Sequence, residues 1–88
     1  MSEVLTSEKP VSAMAKEVAG LVLFERAKEA IGARELGEII GISRRAVYYK
    51  LENDIGLTKL EFSETAAYFE AKAAEYAKLA ADLRRLIA

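Results

Sequence analysis

The sequence contains no cysteine, no histidine and no tryptophan, and its only proline is Pro10. Without cysteine there are no disulfide bonds and no thiol nucleophiles, and without histidine there is no imidazole for zinc binding or acid–base catalysis. No Gly-rich loop ends in Gly-Lys-Ser or Gly-Lys-Thr, and no pair of carboxylates or tyrosines has the spacing of a recognisable catalytic site. We therefore expect a protein that is not an enzyme and uses no cofactor, metal ion or small-molecule ligand.

An excess of charge of one sign is also missing, because 13 basic residues face 14 acidic ones, for a net charge of −1. No overall positive field attracts the chain to nucleic acid, so any such attraction must be local. The longest strongly apolar run, residues 19–24, is far too short to span a bilayer, and the first nine residues carry Glu3 and Glu8 in place of a basic leader. We expect a cytoplasmic protein that does not contact membranes.

The 88 residues suffice for one domain, and alanine, leucine, glutamate and lysine fill the intervals between the glycines. This composition predicts an all-α fold: a small helical bundle that contains a helix-turn-helix and ends in a long C-terminal helix. We expect a disordered tail over residues 1–9 and a helical domain over residues 10–56. Residues 57–88 are then a linker and a packing or dimerisation helix.

The first helix is predicted to begin between Pro10 and Ser12, with Ser12 as its cap, and to end at Ile31, where Gly32 can adopt the left-handed conformation. Its apolar side chains fall on two nearly opposite faces, one holding Val11, Met14, Val18, Leu21 and Val22 and the other Leu23, Phe24, Ala27 and Ile31. Either the helix has two packing partners, or a kink near Gly20 turns both halves toward one core.

Residues 33–52 have the pattern of two short crossed helices. Gly37 is small enough for a close approach of the helices, and Gly41 tolerates a positive φ in the turn between them. Ser43 can cap a second helix over residues 43–53. The side chains expected to point inward are Leu36, Ile40, Ile42, Val47 and Leu51.

This segment resembles the helix-turn-helix superfamily of transcription regulators, and the run GISRRAVYYKL at residues 41–51 is most similar to the Fis-type recognition helix. The resemblance covers about a quarter of the chain, and Gly37 stands where superfamily members commonly have alanine. It implies that helix 43–53 enters the major groove of double-stranded DNA. With Val47 and Leu51 inward, Arg45 and Tyr49 project outward.

The expected DNA-binding residues carry groups that bind phosphates or base edges: arginine can bond guanine bidentately, while serine, tyrosine and lysine can bond phosphates. Residues 32–51 hold four basic and two acidic side chains, a local charge of +2. Glu35, Glu38 and Glu52 oppose phosphate binding. The predicted contact residues are Arg34, Ser43, Arg44, Arg45, Tyr48, Tyr49 and Lys50.

A last helix is predicted over residues 64–87 with Ser63 as its cap, whereas residues 57–62 fit either an extended segment or coil. Large and small side chains alternate at heptad spacing along this helix, and Leu79 and Leu86 widen the stripe. The stripe fits packing within the domain or pairing between chains. A homodimer is expected because one recognition helix reads only a few base pairs. Its dimerisation residues are Phe69, Ala73, Tyr76, Ala80, Leu83 and Ile87.

Two functions follow from these patterns. The first is a small sequence-specific DNA-binding protein, a homodimeric regulator of repressor type. The second is a helical protein–protein interaction module, such as an antitoxin or an adaptor, with little affinity for DNA. The acidic sequence pI near 5.5 and the apolar last helix favour the second function.

Overall fold

The computed structural model describes residues 9–88 of the chain, and side chains from residue 15 onward. Within that range there is no strand, and the helices are α1 (Lys9–Ile31), α2 (Ala33–Ile40), α3 (Arg44–Glu52) and α4 (Lys59–Ile87). The all-α prediction, with its long C-terminal helix, is confirmed. The tail predicted for residues 1–9 lies outside the described residues, except for Lys9, which belongs to α1.

Helix α1 runs without interruption through Gly20, and Ser12 lies inside it rather than before its first turn. The capping role expected of Ser12 is therefore wrong. Neither apolar face of α1 is covered completely. Phe24 is fully buried, but Leu23 on the same face is 53% exposed. On the other face Leu21 is half-buried, whereas Val18 and Val22 are 59% and 51% exposed. Gly32 ends the helix with a φ of 91°, which glycine adopts without strain.

The core lies between α1, α2 and α3. Phe24, Leu36 and Val47 are fully buried at its centre, one from each helix. Burying a side chain of this size contributes about 1.5–3 kcal/mol, so these three residues stabilise the crossing of the helices. The flanking apolar side chains are Ala27, Ile31, Ile42, Leu51 and Leu57. The inward orientation predicted for Leu36 and Val47 is confirmed.

Helix α4 begins earlier than predicted, at Lys59. The Thr58 hydroxyl accepts a hydrogen bond from the Glu61 N–H at 3.1 Å, and the Glu61 carboxylate accepts one from the Thr58 N–H at 2.9 Å. This reciprocal capping box satisfies two donors at the helix start. Ser63 is therefore an interior residue of α4, and residues 59–62 are its first turn.

Only the first half of α4 packs on the other helices. Thr65 is buried and Phe62 lies 3.4 Å from a β-carbon built at Gly20 of α1, but nearly every side chain from Ala73 to the C-terminus is exposed. The radius of gyration is 17.5 Å, against about 12 Å for a compact domain of this length. None of the helices over the described residues has both the length and the apolar character needed to cross a membrane.

Candidate nucleic-acid interface

The turn between α2 and α3 depends on two glycines. Gly41 has φ 82° and ψ 28°, and its N–H donates to the Gly37 carbonyl at 2.7 Å. The Ile42 N–H donates to the same carbonyl at 2.9 Å. A β-carbon at Gly37 would lie 2.5 Å from the Ile42 carbonyl oxygen, so the backbone of the turn occupies the space a side chain would need.

Helix α3 is fixed at both ends by short-range hydrogen bonds. The Ser43 hydroxyl accepts from the Ala46 N–H at 3.0 Å, which confirms Ser43 as the cap. At the other end, the Asn53 side-chain amide donates to the Tyr49 carbonyl at 2.8 Å, and Asp54 has a positive φ of 55°. The position of α3 is thus defined by its caps and by the buried Val47.

The outward face of α3 brings together four of the seven predicted contact residues. Arg45 is exposed, Tyr49 is 60% exposed and Tyr48 is 41% exposed. They surround a shallow depression whose lining is completed by Ser43, Ala46 and Glu52. One face therefore offers a guanidinium, two phenols and a hydroxyl to a ligand.

The other three predicted contact residues lie elsewhere. Arg44 is exposed in the first turn of α3 but does not line the depression, and Arg34 is exposed in the first turn of α2. Lys50 is half-buried, because it follows Val47 by three residues and so lies toward the inward side of the helix. Arg44 therefore lies at the start of the helix that carries the depression, Arg34 lies on the preceding helix, and the Lys50 side chain is turned away from the centre of the site.

Sequence reasoning missed a cation beside this face. The Lys28 ammonium, near the end of α1, lies 5.7 Å from the centre of the Tyr48 ring, a cation–π contact. Lys28 also forms an ion pair with Glu25 at 3.6 Å. The two residues of the cation–π contact are 20 positions apart, and no local pattern in the sequence indicates the contact.

Two of the glutamates expected to oppose phosphate have different positions. The Tyr68 hydroxyl of α4 donates a hydrogen bond to the Glu35 carboxylate, so this carboxylate lies at the contact between α2 and α4. Glu52 lines the depression with Arg45 and Tyr49. Glu52 is therefore the acidic group on the outward face of α3.

We define the body of the protein as helices α1–α3 together with the first half of α4. The predicted dimerisation residues fall into two groups, one inside this body and one on the part of α4 that extends beyond it. Phe69 is half-buried and lines an apolar groove between α1 and α4. The remaining predicted residues are all exposed, with Tyr76 at 65% and Ile87 at 80%. They are Ala73, Tyr76, Ala80, Leu83 and Ile87. Within one chain, these side chains therefore remain largely in contact with solvent.

Among the described residues, no three acidic side chains lie close enough together to hold a metal ion. Comparisons with known protein families, with curated proteins and with solved structures each give no match. The case for a function therefore depends on the geometry of α3 and α4.

Proposed function

We propose that the protein is a sequence-specific DNA-binding protein, a cytoplasmic homodimeric regulator of repressor type, which inserts α3 into the major groove. The observation that carries the proposal is the exposed face of Arg45 and Tyr49 on a helix whose opposite face is anchored by Val47. A rigid helix with a bare polar face is what readout of base edges requires.

Each group on this face has a chemistry suited to DNA. Arg45 projects from the middle of the outward face and can bond the O6 and N7 atoms of guanine bidentately. Arg44 and Ser43, at the start of α3, lie where free backbone N–H groups and the helix dipole favour a phosphate. Tyr49 can bond a phosphate or contact a thymine methyl group. The net charge of +2 over residues 32–51 supports the same partner.

Removing the Glu52 carboxylate is expected to strengthen DNA binding. A carboxylate about 5 Å from a phosphate costs about 0.8 kcal/mol in water, or about fourfold in affinity per subunit. Glu52→Gln should therefore tighten binding, measured by fluorescence anisotropy at low salt. Glu64→Gln, an exposed carboxylate on α4, is the matched control and should have little effect. An equal gain from both variants would show an effect of net charge alone and contradict the placement of Glu52 at the interface.

Selection of bound sequences from a random DNA pool tests the proposal directly. We expect a palindromic consensus, since two equivalent recognition helices read two equivalent half-sites. For about six phosphate contacts per dimer, the logarithm of the affinity should fall with the logarithm of salt concentration with a slope near −5. Failure to retain any DNA at low salt would refute the proposal.

The second candidate is a helical interaction module that binds another protein through α4. The exposure of Leu79, Leu83 and Leu86, at 55%, 56% and 82%, favours it, because these side chains need a partner that one chain does not supply. The same selection separates the candidates. An interaction module retains no DNA, whereas a regulator retains a defined sequence.

A further inference from the structure

The segment of α4 beyond the body, residues 73–87, is an amphipathic helix with an uncovered apolar face. Tyr76, Leu79 and Leu83 are more than half exposed, and Leu86 and Ile87 are 82% and 80% exposed, the highest values among the large apolar side chains of the described residues. A row of such side chains at heptad spacing is stable in water when another helix covers it.

We propose that this segment pairs with the same segment of a second copy of the chain, in antiparallel orientation, in the register that places Ala80 opposite the partner's Tyr76. The inference rests on the proposed homodimer and specifies its geometry. In this register, the residue numbers of two core positions that face each other across the pair add up to 156, as 80 and 76 do. The two-fold axis of the pair therefore passes beside Lys78.

Side-chain size favours the antiparallel orientation. The proposed register places Ala73 opposite the partner's Leu83 and Ala80 opposite the partner's Tyr76, so a small and a large side chain meet in each of the central layers. A parallel pair would instead place Tyr76 on the partner's Tyr76 and Ala80 on the partner's Ala80. Its layers would alternate between overfilled and empty, and both errors are destabilising.

Charge complementarity favours the same register. Glu70 and Arg84 lie beside the apolar stripe, each one position after a large residue of the heptad. Within the described residues, neither forms an ion pair in its own chain. Residues on this flank of the stripe meet two positions out of step with the core layers, so their numbers add up to 154 rather than 156. In the antiparallel pair, Glu70 therefore lies beside the partner's Arg84, offset by about 3 Å along the axis, and the two-fold symmetry repeats the pair. In a parallel pair these residues are offset by 14 positions, about 21 Å along the helix.

The C-terminal end of each chain then reaches an apolar groove on its partner. The groove lies between α1 and α4 and is lined in part by Leu23, Ala27, Ala30, Ala66 and Phe69. Because the register sets Ile87 opposite the partner's Phe69, the exposed Leu86 and Ile87 come to the mouth of this groove. The groove and the C-terminal end therefore cover each other's apolar surface.

This geometry places both DNA-binding bodies on one side of the pair. Beside the stripe residues Phe62 and Phe69, the body contacts α4 through Thr65 and Tyr68, which lie on one flank of the apolar stripe. The two-fold axis of an antiparallel pair is perpendicular to the plane of its helices, so the same flank of both copies lies on the same side. Thr65 and its symmetry mate are 26 positions apart along the pair, about 39 Å. Half-sites one turn of DNA apart are separated by about 34–36 Å.

Cross-linking of introduced cysteines tests the register, and the cysteine-free chain has no background thiols. We expect the double variant Glu70→Cys/Arg84→Cys to give a covalent dimer with a short bismaleimide that bridges adjacent helices but cannot bridge 21 Å. Glu70→Cys alone and Arg84→Cys alone are the controls and should stay largely uncoupled. Linking through Ala80→Cys without linking of the double variant would show a pair in another orientation or register and overturn the inference.

Sedimentation of variants without cysteine provides a second, independent test. Leu83→Lys should weaken dimerisation at least tenfold while the helical circular dichroism of the protein is retained. Ala81→Lys, on the far side of α4, should leave dimerisation unchanged. A wild-type chain that is monomeric at all concentrations would overturn both the homodimer and its register.

DNA selection keeps the two proposals separate. A dimer cross-linked at positions 70 and 84 that retains no DNA supports the proposed register but refutes the proposed DNA-binding function. A parallel dimer that binds a palindromic sequence refutes the proposed register but supports the proposed DNA-binding function.

Discussion

Replacing Arg45 with alanine is expected to weaken binding to the selected DNA sequence by about 1–3 kcal/mol, or about 5- to 150-fold, and to relax the preference at one base pair of each half-site. Arg45 lies on the outward face of α3, between Ser43 and Tyr49 around the shallow depression. Its loss would remove the proposed bidentate contact to a base as well as a positive charge. Titration of the selected sequence and of a version changed at that base pair measures both effects.

Arg85→Ala is the matched control for this experiment, because it removes the same side chain from the far end of α4. Arg85 is exposed and bonds Asp82 in its own helix. It should leave both affinity and sequence preference nearly unchanged. If Arg45→Ala reduced the affinity for all DNA sequences equally, Arg45 would be a phosphate contact and its assignment to base readout would be wrong.

Replacing Gly37 with alanine is expected to destabilise the protein by about 2 kcal/mol. The added β-carbon would lie 2.5 Å from the Ile42 carbonyl oxygen, a backbone atom that no change of rotamer can move. Overpacking of this kind costs about 1–3 kcal/mol, and we expect the upper end of this range because the contact is with the backbone. The higher helix propensity of alanine recovers about 1 kcal/mol at most, which leaves the net loss of about 2 kcal/mol. The thermal midpoint should fall by about 8–16 °C, measured by circular dichroism.

Gly20→Ala provides the matched comparison for Gly37→Ala, because it makes the same change inside a helix. A β-carbon at Gly20 would meet only the ring of Phe62 at 3.4 Å, an ordinary contact with a side chain that can adjust. This variant should be as stable as the wild type or more stable, by up to about 1 kcal/mol. Its thermal midpoint should therefore stay the same or rise. If the two variants changed stability in the same direction, the close approach at Gly37 would not be what positions α3.

The helix-turn-helix could be predicted because its determinants are local. A glycine at position 41 allows the positive φ of the turn, and Ser43 caps α3 through a hydrogen bond that spans three residues. The same local pattern predicts the first of the two short helices over about residues 33–40, and α2 occupies Ala33–Ile40. Local signals also existed where the prediction was wrong. Thr58 and Glu61 have the spacing of a capping box, and this signal places the start of α4 at Lys59, five residues before the start predicted from a cap at Ser63.

The sequence by itself determined the fold class, the two short helices with their turn, and the heptad stripe of α4, because each depends on atoms within a few residues of one another. The tertiary structure decided which face of α1 packs on the core, and it placed Lys28 beside Tyr48 and Glu35 on Tyr68. It also decided that α4 leaves the body near Ala73. These outcomes depend on contacts between different helices, and such contacts are set by how whole helices pack around Phe24, Leu36 and Val47.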